Sequence, residues 1–293
     1  MDNAVEFIEH YQRTDNLHIL TYAETNIPAL LLFARQSRKN ATESLQPHFH
    51  KNCFEIVYIS AGSVIFSIDG TDYKLSGGDV FITQPNQIHS TNSRPVSVCE
   101  MYWFHLYSGQ EHLLYLNESA SRYVREKLAS FKTPQLHTNA KEIYPLIKSA
   151  FDICAQGSNP QLAGQYLSLL LYKIIEYQNK TTFKLTPDIG RVLNYIMDHL
   201  TDEISLEQLA DISHLSVSQF KQKFKNQIGF SPRQFINYEK IEFAKTLLLE
   251  GMSVTDVSSM LGFDNSSYFA VVFKRFNLCS PTEYVKRKQD SSL

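Results

Sequence analysis

Three histidines and one glutamate form the pattern in this chain that most clearly points to chemistry. His48 and His50 are separated by one residue, four residues separate His50 from Glu55, and His89 follows further along. Because His48 and His50 are two apart, on a β-strand both would point to the same face. Imidazole nitrogens and carboxylate oxygens are ligands that Mn, Fe, Ni or Zn accept. The pattern therefore indicates a shared polar site on one face of a sheet.

Short strands with frequent turns surround these residues. Between about 29 and 106, apolar runs such as 55–59 and 64–68 alternate with turn signals about every ten residues. Asp69-Gly70 is a hairpin signal between two of these runs. Many short strands of this kind predict a β-sandwich or a β-barrel.

The polar pattern and the strands together resemble the two sequence motifs of the cupin fold, a small β-barrel with an open mouth. The resemblance rests on His48, His50, Glu55, Gly62, Gly78, Asp79, Pro85 and His89. In metal-binding cupins, the two histidines, the glutamate and the later histidine hold one metal ion. The match is partial, because Thr42 stands where the first motif has glycine and Gln87 stands near the glycine of the second.

From about 118 to 178 the apolar period becomes helical. One predicted helix face carries Tyr144, Ile147, Ala150, Phe151 and Cys154 at three- and four-residue spacing. The stretch 165–177 predicts a second helix that is apolar around most of its circumference, as buried helices are. This helix is expected to pack either on the barrel or against a second subunit. The polar stretch 179–187 is interpreted as a linker.

The last hundred residues contain an internal repeat. Phe224-Lys225 and Ser231-Pro232 recur as Phe273-Lys274 and Ser280-Pro281, an offset of 49 residues. Four Ser-x-x-Gln/Glu boxes of the kind that cap helix starts begin at Ser205, Ser216, Ser231 and Ser280. Each repeat is predicted to be a short helix, a tight turn and a second helix, at about 206–227 and 254–277. This is helix-turn-helix organisation.

Charge separates the two helices of each repeat. The whole chain has 28 Lys and Arg against 30 Asp and Glu, a net charge of −2, which excludes a uniformly basic nucleic-acid surface. Segments 217–245 and 265–288 each carry +4, whereas 188–216 carries −5 and 246–264 carries −3. Lys and Arg beside a groove-reading helix contact DNA phosphates. The second helix of each repeat is therefore predicted to face double-stranded DNA.

Residues 188–288 resemble the DNA-binding domain of the AraC/XylS family of bacterial transcription regulators. The resemblance rests on 262–269, on Phe273-Lys274-Arg275, on Ser280-Pro281 with Tyr284, and on the helix predicted from Pro232 to Glu250. The chain has Lys240 where the family usually has Arg, Ser258 where it has Ala, and Leu278 where it has Gly.

The resemblance and the outward-facing helix positions together give ten expected DNA-binding residues. They are Ser218, Gln219, Lys221, Gln222, Lys225, Ser266, Ser267, Ala270, Val271 and Lys274. Glutamine can pair with adenine through two hydrogen bonds, and Ala or Val can contact a thymine methyl group. For Ala270 and Val271, close packing against the domain core is the alternative interpretation.

Members of this family often join such a reader to a barrel with a His-x-His remnant that holds a small effector, commonly a sugar, without a metal. The resemblance implies an effector pocket lined by His48, His50, Glu55, Tyr58 and His89. Two other interpretations stay open: a structural remnant with hydrogen-bonded histidines, or a metal site formed by His48, His50, Glu55 and His89. Tyr102, Trp103 and His105 are further candidates for the mouth of the barrel.

The sequence thus predicts a multidomain protein: an N-terminal all-β cupin-like barrel with appended helices, and a C-terminal all-α domain of two helix-turn-helix units. The expected segments are 1–115 for the sensor, 116–180 for helices with a possible role in dimerisation, 181–187 for the linker and 188–288 for the reader. The predicted function is a sequence-specific DNA-binding transcription regulator that responds to a small molecule, of the sugar or sugar-derived class. Neither enzymatic activity nor a cofactor is expected. The alternative is a cupin metalloenzyme, of the isomerase or dioxygenase type, fused to a DNA-binding module.

The expected partners are double-stranded DNA, the effector, a second copy of the chain and RNA polymerase, with no membrane. The four cysteines form no Cys-x-x-Cys pair, so neither a zinc ribbon nor a disulfide framework is expected. The start lacks a basic-then-apolar signal pattern, and the most apolar stretch, 166–177, is too short for a bilayer. These features favour a cytoplasmic location. The sequence does not identify the effector, the operator or the direction of regulation.

Overall fold

The computed structural model describes residues 5–6, 14–179 and 185–290. The chain divides into two compact units, one comprising 1–38 with 44–183 and the other comprising 39–43 with 184–293. The first unit is rich in strands and the second is helical, as predicted. Part of the predicted linker, 181–184, lies outside the described residues.

The first unit is built on a curved sheet with helices on one side. Its strands are β1 (Val5–Glu6), β2 (Leu17–Thr21), β3 (Leu30–Ser37), β4 (His48–Phe49), β5 (Cys53–Ile68), β6 (Thr71–Ser76), β7 (Asp79–Thr83), β8 (Cys99–Tyr107) and β9 (Gln135–His137). Its helices are α1 (Tyr22–Thr25), α2 (Glu118–Ala129), α3 (Ala140–Ala155) and α4 (Pro160–Asn179). The main sheet has the order β2-β3-β8-β5-β7-β9, and β6 also pairs with β5.

The strand β5 departs from the sequence expectation. The runs 55–59 and 64–68 belong to one strand of 16 residues rather than to two short ones. Gly62 has a φ of +80°, and a Cβ there would lie 2.2 Å from the carbonyl oxygen of Val98, so only glycine fits. The strand therefore bends at this glycine and continues. The predicted hairpin at Asp69-Gly70, with φ values of 50° and 77°, joins it to β6.

The two faces of β5 and β8 bury different cores, because successive side chains of a strand point in opposite directions. The outer face, with Ile56 and Phe104, packs under α2, α3 and α4. The inner face, with Val57 and Trp103, packs among apolar side chains of the other strands. The predicted apolar face of α3 is confirmed: Ile147, Ala150, Phe151 and Cys154 are buried, and Tyr144 packs partly buried against the same core.

The second unit consists of helices that cap as the sequence indicates. They are α5 (Pro187–Asp198), α6 (Leu206–Ser213), α7 (Val217–Ile228), α8 (Pro232–Leu249), α9 (Val254–Met260), α10 (Ser266–Asn277) and α11 (Pro281–Asp290). All four predicted capping boxes form. The pairs α6–α7 and α9–α10 are the two helix-turn-helix units, and α8 joins them.

Each helix-turn-helix unit has two phenylalanines in its core. Phe220 and Phe224 on α7, and Phe269 and Phe273 on α10, are fully buried. Burying an aromatic side chain of this size contributes about 1.5–3 kcal/mol. Because these residues recur every four positions, the opposite face of each helix stays exposed. Among the described residues, every helix is too short or too polar to cross a membrane.

Candidate ligand site and nucleic-acid interface

Five buried polar side chains meet beside the inner face of β5 and β8. His48 and His89 face each other across an antiparallel bridge, and their N–H groups donate to each other's carbonyl oxygens at 3.0 and 2.9 Å. Glu55 on β5 lies directly opposite His105 on β8. Since opposite residues of a ladder point to the same face, each pair presents its side chains together. With His50, these residues are called the histidine cluster below.

Glu55 is the centre of the histidine cluster. Its Oε2 lies 3.0 Å from Nε2 of His89. Its Oε1 lies 3.5 Å from Nε2 of His105 and 3.7 Å from Nε2 of His50. The ring centroids of His50 and His105 are 3.9 Å apart, and those of His48 and His89 are 4.2 Å apart. No member is more than 7% exposed.

Burial and mutual contact set the protonation of the cluster. Burial opposes charge on Glu55, but His50, His89 and His105 outweigh it and hold the pKa of this carboxyl well below its usual value. Burial lowers the pKa of His50 to about 3 despite the attraction of Glu55. Burial, with repulsion from His89, also lowers the pKa of His48. His48 and His50 are therefore neutral near pH 7 and offer nitrogen lone pairs.

His89 differs from these two. Burial opposes its charge as well, but the charge of Glu55 and the hydrogen bond between them raise the pKa of His89 above its usual value. The buried carboxylate therefore has one imidazole beside it that readily takes up a proton.

Two imidazoles are oriented by the backbone. Nδ1 of His48 lies 2.7 Å from the carbonyl oxygen of Gln46, and Nδ1 of His89 lies 3.1 Å from that of Gln87. For His48, donation from Nδ1–H to the carbonyl makes Nε2 the acceptor or ligand atom. Nε2 of His89 instead donates to the Glu55 carboxylate. The cluster offers two sets of donor atoms within 4.8 Å of one another, namely His48, His50 and His89, and His50, Glu55 and His105.

The structure thus brings together four of the five residues expected at the effector site, and it adds His105. Tyr58 does not join them. It lies three residues beyond Glu55 on β5, so strand alternation places it on the outer face, where it is 1% exposed and its ring lies 6.5 Å from that of Tyr144. Tyr102, its cross-strand partner, lies in the same outer core. Trp103 packs in the inner apolar core.

On α7, the five expected DNA-binding residues Ser218, Gln219, Lys221, Gln222 and Lys225 are all exposed. Their side chains differ in the hydrogen bonds that they make. The side-chain oxygen of Gln219 accepts hydrogen bonds from the N–H and hydroxyl of Ser216 at 3.3 and 3.0 Å, so it is part of the helix cap. Nε2 of Gln222 donates to Oδ1 of Asn226 at 3.1 Å, a surface bond that a base edge can replace.

On α10, the outward face is apolar at its centre. Val271 is 67% exposed, which excludes close packing as the reason for this residue. Ser267 and Lys274 are exposed, and Ser266 and Ala270 are half-buried. Tyr268, which is not among the ten expected DNA-binding residues, is 46% exposed on the same helix.

Two of the lysines counted in the basic segment 217–245 serve the fold instead. Nζ of Lys223 lies 2.7 Å from Oδ2 of Asp188 on α5. Lys240 is 8% exposed, and its Nζ donates to the carbonyl oxygen of Leu261 at 2.7 Å. Burial lowers the pKa of Lys240. The cations that remain exposed on α7 are Lys221 and Lys225.

The chain matches two family models. An "AraC-like ligand binding domain" model matches residues 30–171, and a "Helix-turn-helix domain" model matches residues 209–287. Each model thus covers one of the two regions described above, the first containing the histidine cluster and the second containing α7 and α10.

Curated relatives match over most of their length. The HTH-type transcriptional activator RhaS of Enterobacter sp. (strain 638) is 23% identical over 268 residues, covering 84% of this chain and 90% of the relative. The uncharacterized HTH-type transcriptional regulator YdeC of Bacillus subtilis (strain 168) is 24% identical, covering 97% and 96%. Among solved structures, ToxT of Vibrio cholerae O395 bound to a naphthalenyl butenoic acid is 13% identical, covering 93% and 99%, with a TM-score of 0.35.

The sequence repeat, the two helix-turn-helix units and the family models point to one conclusion. The strand-rich unit matches a ligand-binding domain, and the helical unit matches a DNA-binding domain. The chain belongs to the AraC/XylS family and is a transcription regulator with a ligand-binding domain and a helix-turn-helix DNA-binding domain.

Proposed function

We propose that the histidine cluster is the ligand site of this regulator and that α7 and α10 read DNA in successive major grooves. The observation that carries the DNA-reading part is the repeated helix: each second helix buries two phenylalanines and turns its opposite, lysine-bearing face to solvent. In this proposal the strand-rich unit is a sensor and not a catalytic domain, and the protein acts in the cytoplasm. The sugar or sugar-derived class of ligand stays a prediction from the family resemblance.

The length of α8 supports a two-groove footprint. At about 1.5 Å per residue, its 18 residues span about 27 Å. One turn of DNA is about 34 Å, so a connector of this length suits recognition helices in adjacent turns on one face of the duplex. Because the repeat lies within one chain, the site of a single reader needs no palindromic symmetry.

Nuclease footprinting on the promoter regions next to the gene tests this geometry. One reader is expected to protect two short blocks about 10 base pairs apart. A scrambled duplex of the same composition is the control and should show no discrete blocks. A single protected block, or two blocks related by a palindrome, would contradict the reading of two grooves by one chain.

The proposal includes a homodimer formed through α4. Leu162 and Leu169 are 45% and 47% exposed on this helix, and the half-buried Tyr166 lies between them. Positions i, i+4 and i+7 form one stripe on a helix; Tyr166 at its centre packs partly buried against the outer core, and the two leucines are exposed beside it. A second copy of the same stripe is its simplest complement, since isologous interfaces are self-complementary.

Analytical ultracentrifugation tests the dimer. Leu169→Glu is expected to shift the full chain towards the monomer, because a charge in the stripe would be buried on association. Leu249→Glu is the matched control, since Leu249 is 50% exposed but lies in the second unit. Equal effects of the two changes, or no effect of Leu169→Glu, would remove α4 from the interface.

Contact with RNA polymerase is a further part of the proposal. Glu207 and Asp211 on α6 are exposed, and DNA phosphates would repel them. A basic patch on the polymerase is the partner that such a surface fits. Changing both residues to their amides is expected to reduce transcription in vitro while leaving operator affinity unchanged. A parallel loss of operator affinity would instead place these residues at the DNA.

A further inference from the structure

We infer that the backbone of Lys39 and Ala41 positions α10 for DNA reading and holds Arg275 as a further phosphate contact. The two residues lie in the segment 39–43, which stands between β3 and β4 in the chain but folds as part of the helical unit. The inference rests on the proposed function of α10 as a DNA-reading helix. It adds Arg275 to the ten expected DNA-binding residues, and it adds a support that comes from outside the helix-turn-helix repeat.

The segment 39–43 completes the C-terminal end of α10. This helix ends at Asn277, and the carbonyl groups in the last turn of a helix have no donor within the helix. The N–H of Leu278 donates to the carbonyl oxygen of Lys274 at 3.1 Å. The next carbonyl, that of Arg275, accepts from the N–H of Ala41 at 2.7 Å. A residue from a distant part of the chain therefore holds the last turn of the helix.

The same segment holds the side chain of Arg275. Its Nε donates to the carbonyl oxygen of Lys39 at 3.1 Å. A guanidinium carries five N–H donors in a planar fork, so a bond through Nε orients the plane while the terminal nitrogens can still bind a phosphate. Arg275 is exposed and directly follows Lys274, which is one of the expected DNA-binding residues. An arginine that is already oriented loses less side-chain entropy when it binds a phosphate.

Ala41 anchors the segment by its burial as well as by its N–H. It is 5% exposed, whereas its neighbours Asn40 and Thr42 are exposed. A methyl group is buried here at little cost. A lysine at the same position could not stay buried, because its charge would lose hydration and would be repelled by Arg275. Replacing Ala41 with lysine is therefore expected to release the segment from α10 without changing the helix itself.

The first helix-turn-helix unit has a support at a comparable place. Gln227, near the end of α7, accepts from the N–H of Thr186 at 3.1 Å and donates to its hydroxyl at 3.0 Å, just before α5. In the second unit, Arg275 near the end of α10 has its partners in the segment 39–43 instead. Both helices are thus held near their C-terminal ends. This support sets the angle at which each helix can enter a groove.

The positioning role is tested by footprinting and titration of full-length variants on the operator. The block read by α7 is identified as the one that Gln222→Ala weakens. Ala41→Lys is expected to lower operator affinity by about fivefold or more and to weaken the other block selectively, although an added positive charge by itself favours DNA binding. Asn40→Lys is the matched control, because it adds the same charge to an exposed side chain that takes part in neither bond. Its operator affinity should be equal to that of the native chain or higher.

The phosphate contact of Arg275 is tested by salt dependence. Arg275→Ala is expected to weaken binding to specific and scrambled duplexes alike and to lower the slope of log affinity against log salt by about one. Arg191→Ala is the matched control. Arg191 is also exposed, and its Nη2 donates to the carbonyl oxygen of Ile212 at 3.5 Å, but it lies in the acidic segment 188–216. The slope of this control should stay nearly unchanged.

The outcomes separate the inference from the proposed function. If Ala41→Lys is folded by circular dichroism and keeps both blocks, or binds the operator as tightly as Asn40→Lys, the segment does not position α10 and the inference is wrong. An unchanged salt slope in Arg275→Ala overturns the phosphate contact, and it decides the whole inference if Ala41→Lys does not fold. If the native chain itself protects only one block, the proposed reading of DNA by α10 fails instead.

Discussion

At equivalent positions of their second helices, 49 residues apart, the two helix-turn-helix units carry Gln222 and Val271. Both side chains are exposed at the centre of the outward face. An amide can form two hydrogen bonds with adenine, whereas an isopropyl group can only contact a thymine methyl. The repeat therefore preserves the buried phenylalanines of the fold and changes the chemistry of the surface. Of the two helix-turn-helix units, we expect the first to carry more of the sequence information.

The two helix-turn-helix units also differ in the bonds that tie them to neighbouring helices. The first is tied to α5, through Lys223 with Asp188 and through Gln227 with Thr186. In the second, the buried Lys240 of α8 holds the turn after α9 by its bond to the Leu261 carbonyl. The first helix-turn-helix unit is thus held by bonds of side chains at the surface, and the second by the bond of a buried lysine.

The largest effect on the free energy of unfolding is expected for the loss of the Lys240 hydrogen bond. Lys240→Met removes the donor and leaves the carbonyl of Leu261 buried without it, which costs about 1–3 kcal/mol. Lys245→Met, on the same helix but half-buried, is the control and should cost less than about 0.5 kcal/mol. Urea unfolding of both variants measures the difference. Similar losses would mean that the second unit does not depend on its internal lysine.

The exposed residues Gln222 and Val271 are compared through the operator affinity of their alanine variants. Gln222→Ala is expected to cost about 1–3 kcal/mol on the preferred site and to relax specificity there. Val271→Ala should cost less, because it removes only apolar contact. Titrations on specific and scrambled duplexes measure both. Equal weakening on the two duplexes by Gln222→Ala would show that this residue does not read a base.

Phosphate contacts should be alike in the two units. Lys225→Ala and Lys274→Ala are each expected to weaken binding to all sequences and to lower the slope of log affinity against log salt by about one. Lys223→Ala should leave the slope nearly unchanged, since this lysine pairs with Asp188. A loss confined to the specific duplex would reassign the lysine concerned to base recognition.

The ends of the two recognition helices offer a smaller contrast. Gly229 ends α7 with a φ of 77°, and Leu278 ends α10 with a φ of 65°. The left-handed conformation costs a residue with a Cβ about 1 kcal/mol. Leu278→Gly is therefore expected to stabilise the chain by about 1 kcal/mol and Gly229→Ala to destabilise it by about as much. Thermal or urea unfolding measures both changes in the free energy of unfolding. If both variants were stabilised, or both destabilised, the expected contrast between Gly229 and Leu278 would be wrong.

The smallest effect concerns pH. Burial opposes ionisation of Asp188, but hydrogen bonds from Lys223 and Thr186 bring its pKa to about 2. A carboxyl whose folded pKa is below its unfolded value of about 3.9 stabilises the fold above pH 4, and this stabilisation is lost as the pH falls from 4 towards 2. Asp188→Asn should cost about 0.5 kcal/mol at pH 7 and almost nothing near pH 2. A difference that stays constant with pH would exclude the ion pair as its source.

The elements that sequence determined are those whose signals are local. The four capping boxes, the start of α5 at Pro187 and the hairpin at Asp69-Gly70 all follow from a few neighbouring residues, and all are present. The burial of Phe220 and Phe224 follows from helical periodicity in the same way. The expected alternation of His48 and His50 along one strand does not occur, because β4 ends at Phe49.

Tertiary structure alone decided features that depend on partners distant in the chain. Region 118–178 reads as helical, yet β9 forms there because it pairs with β7 and Gln135 donates to Asp79. Lys223 and Lys240 count as basic residues in the sequence, but distant acceptors take them out of the DNA-facing charge.

The candidate site shows the same division. The sequence by itself indicated that His48, His50, Glu55 and His89 form one shared site. The register of β5 on β8 decided that His105 stands opposite Glu55, and the same register sends Tyr58 and Tyr102 together to the outer core. A shift of this register by one residue would move each of these side chains to the opposite face. No local sequence signal fixes the register, because it depends on how two distant strands bury their apolar sides.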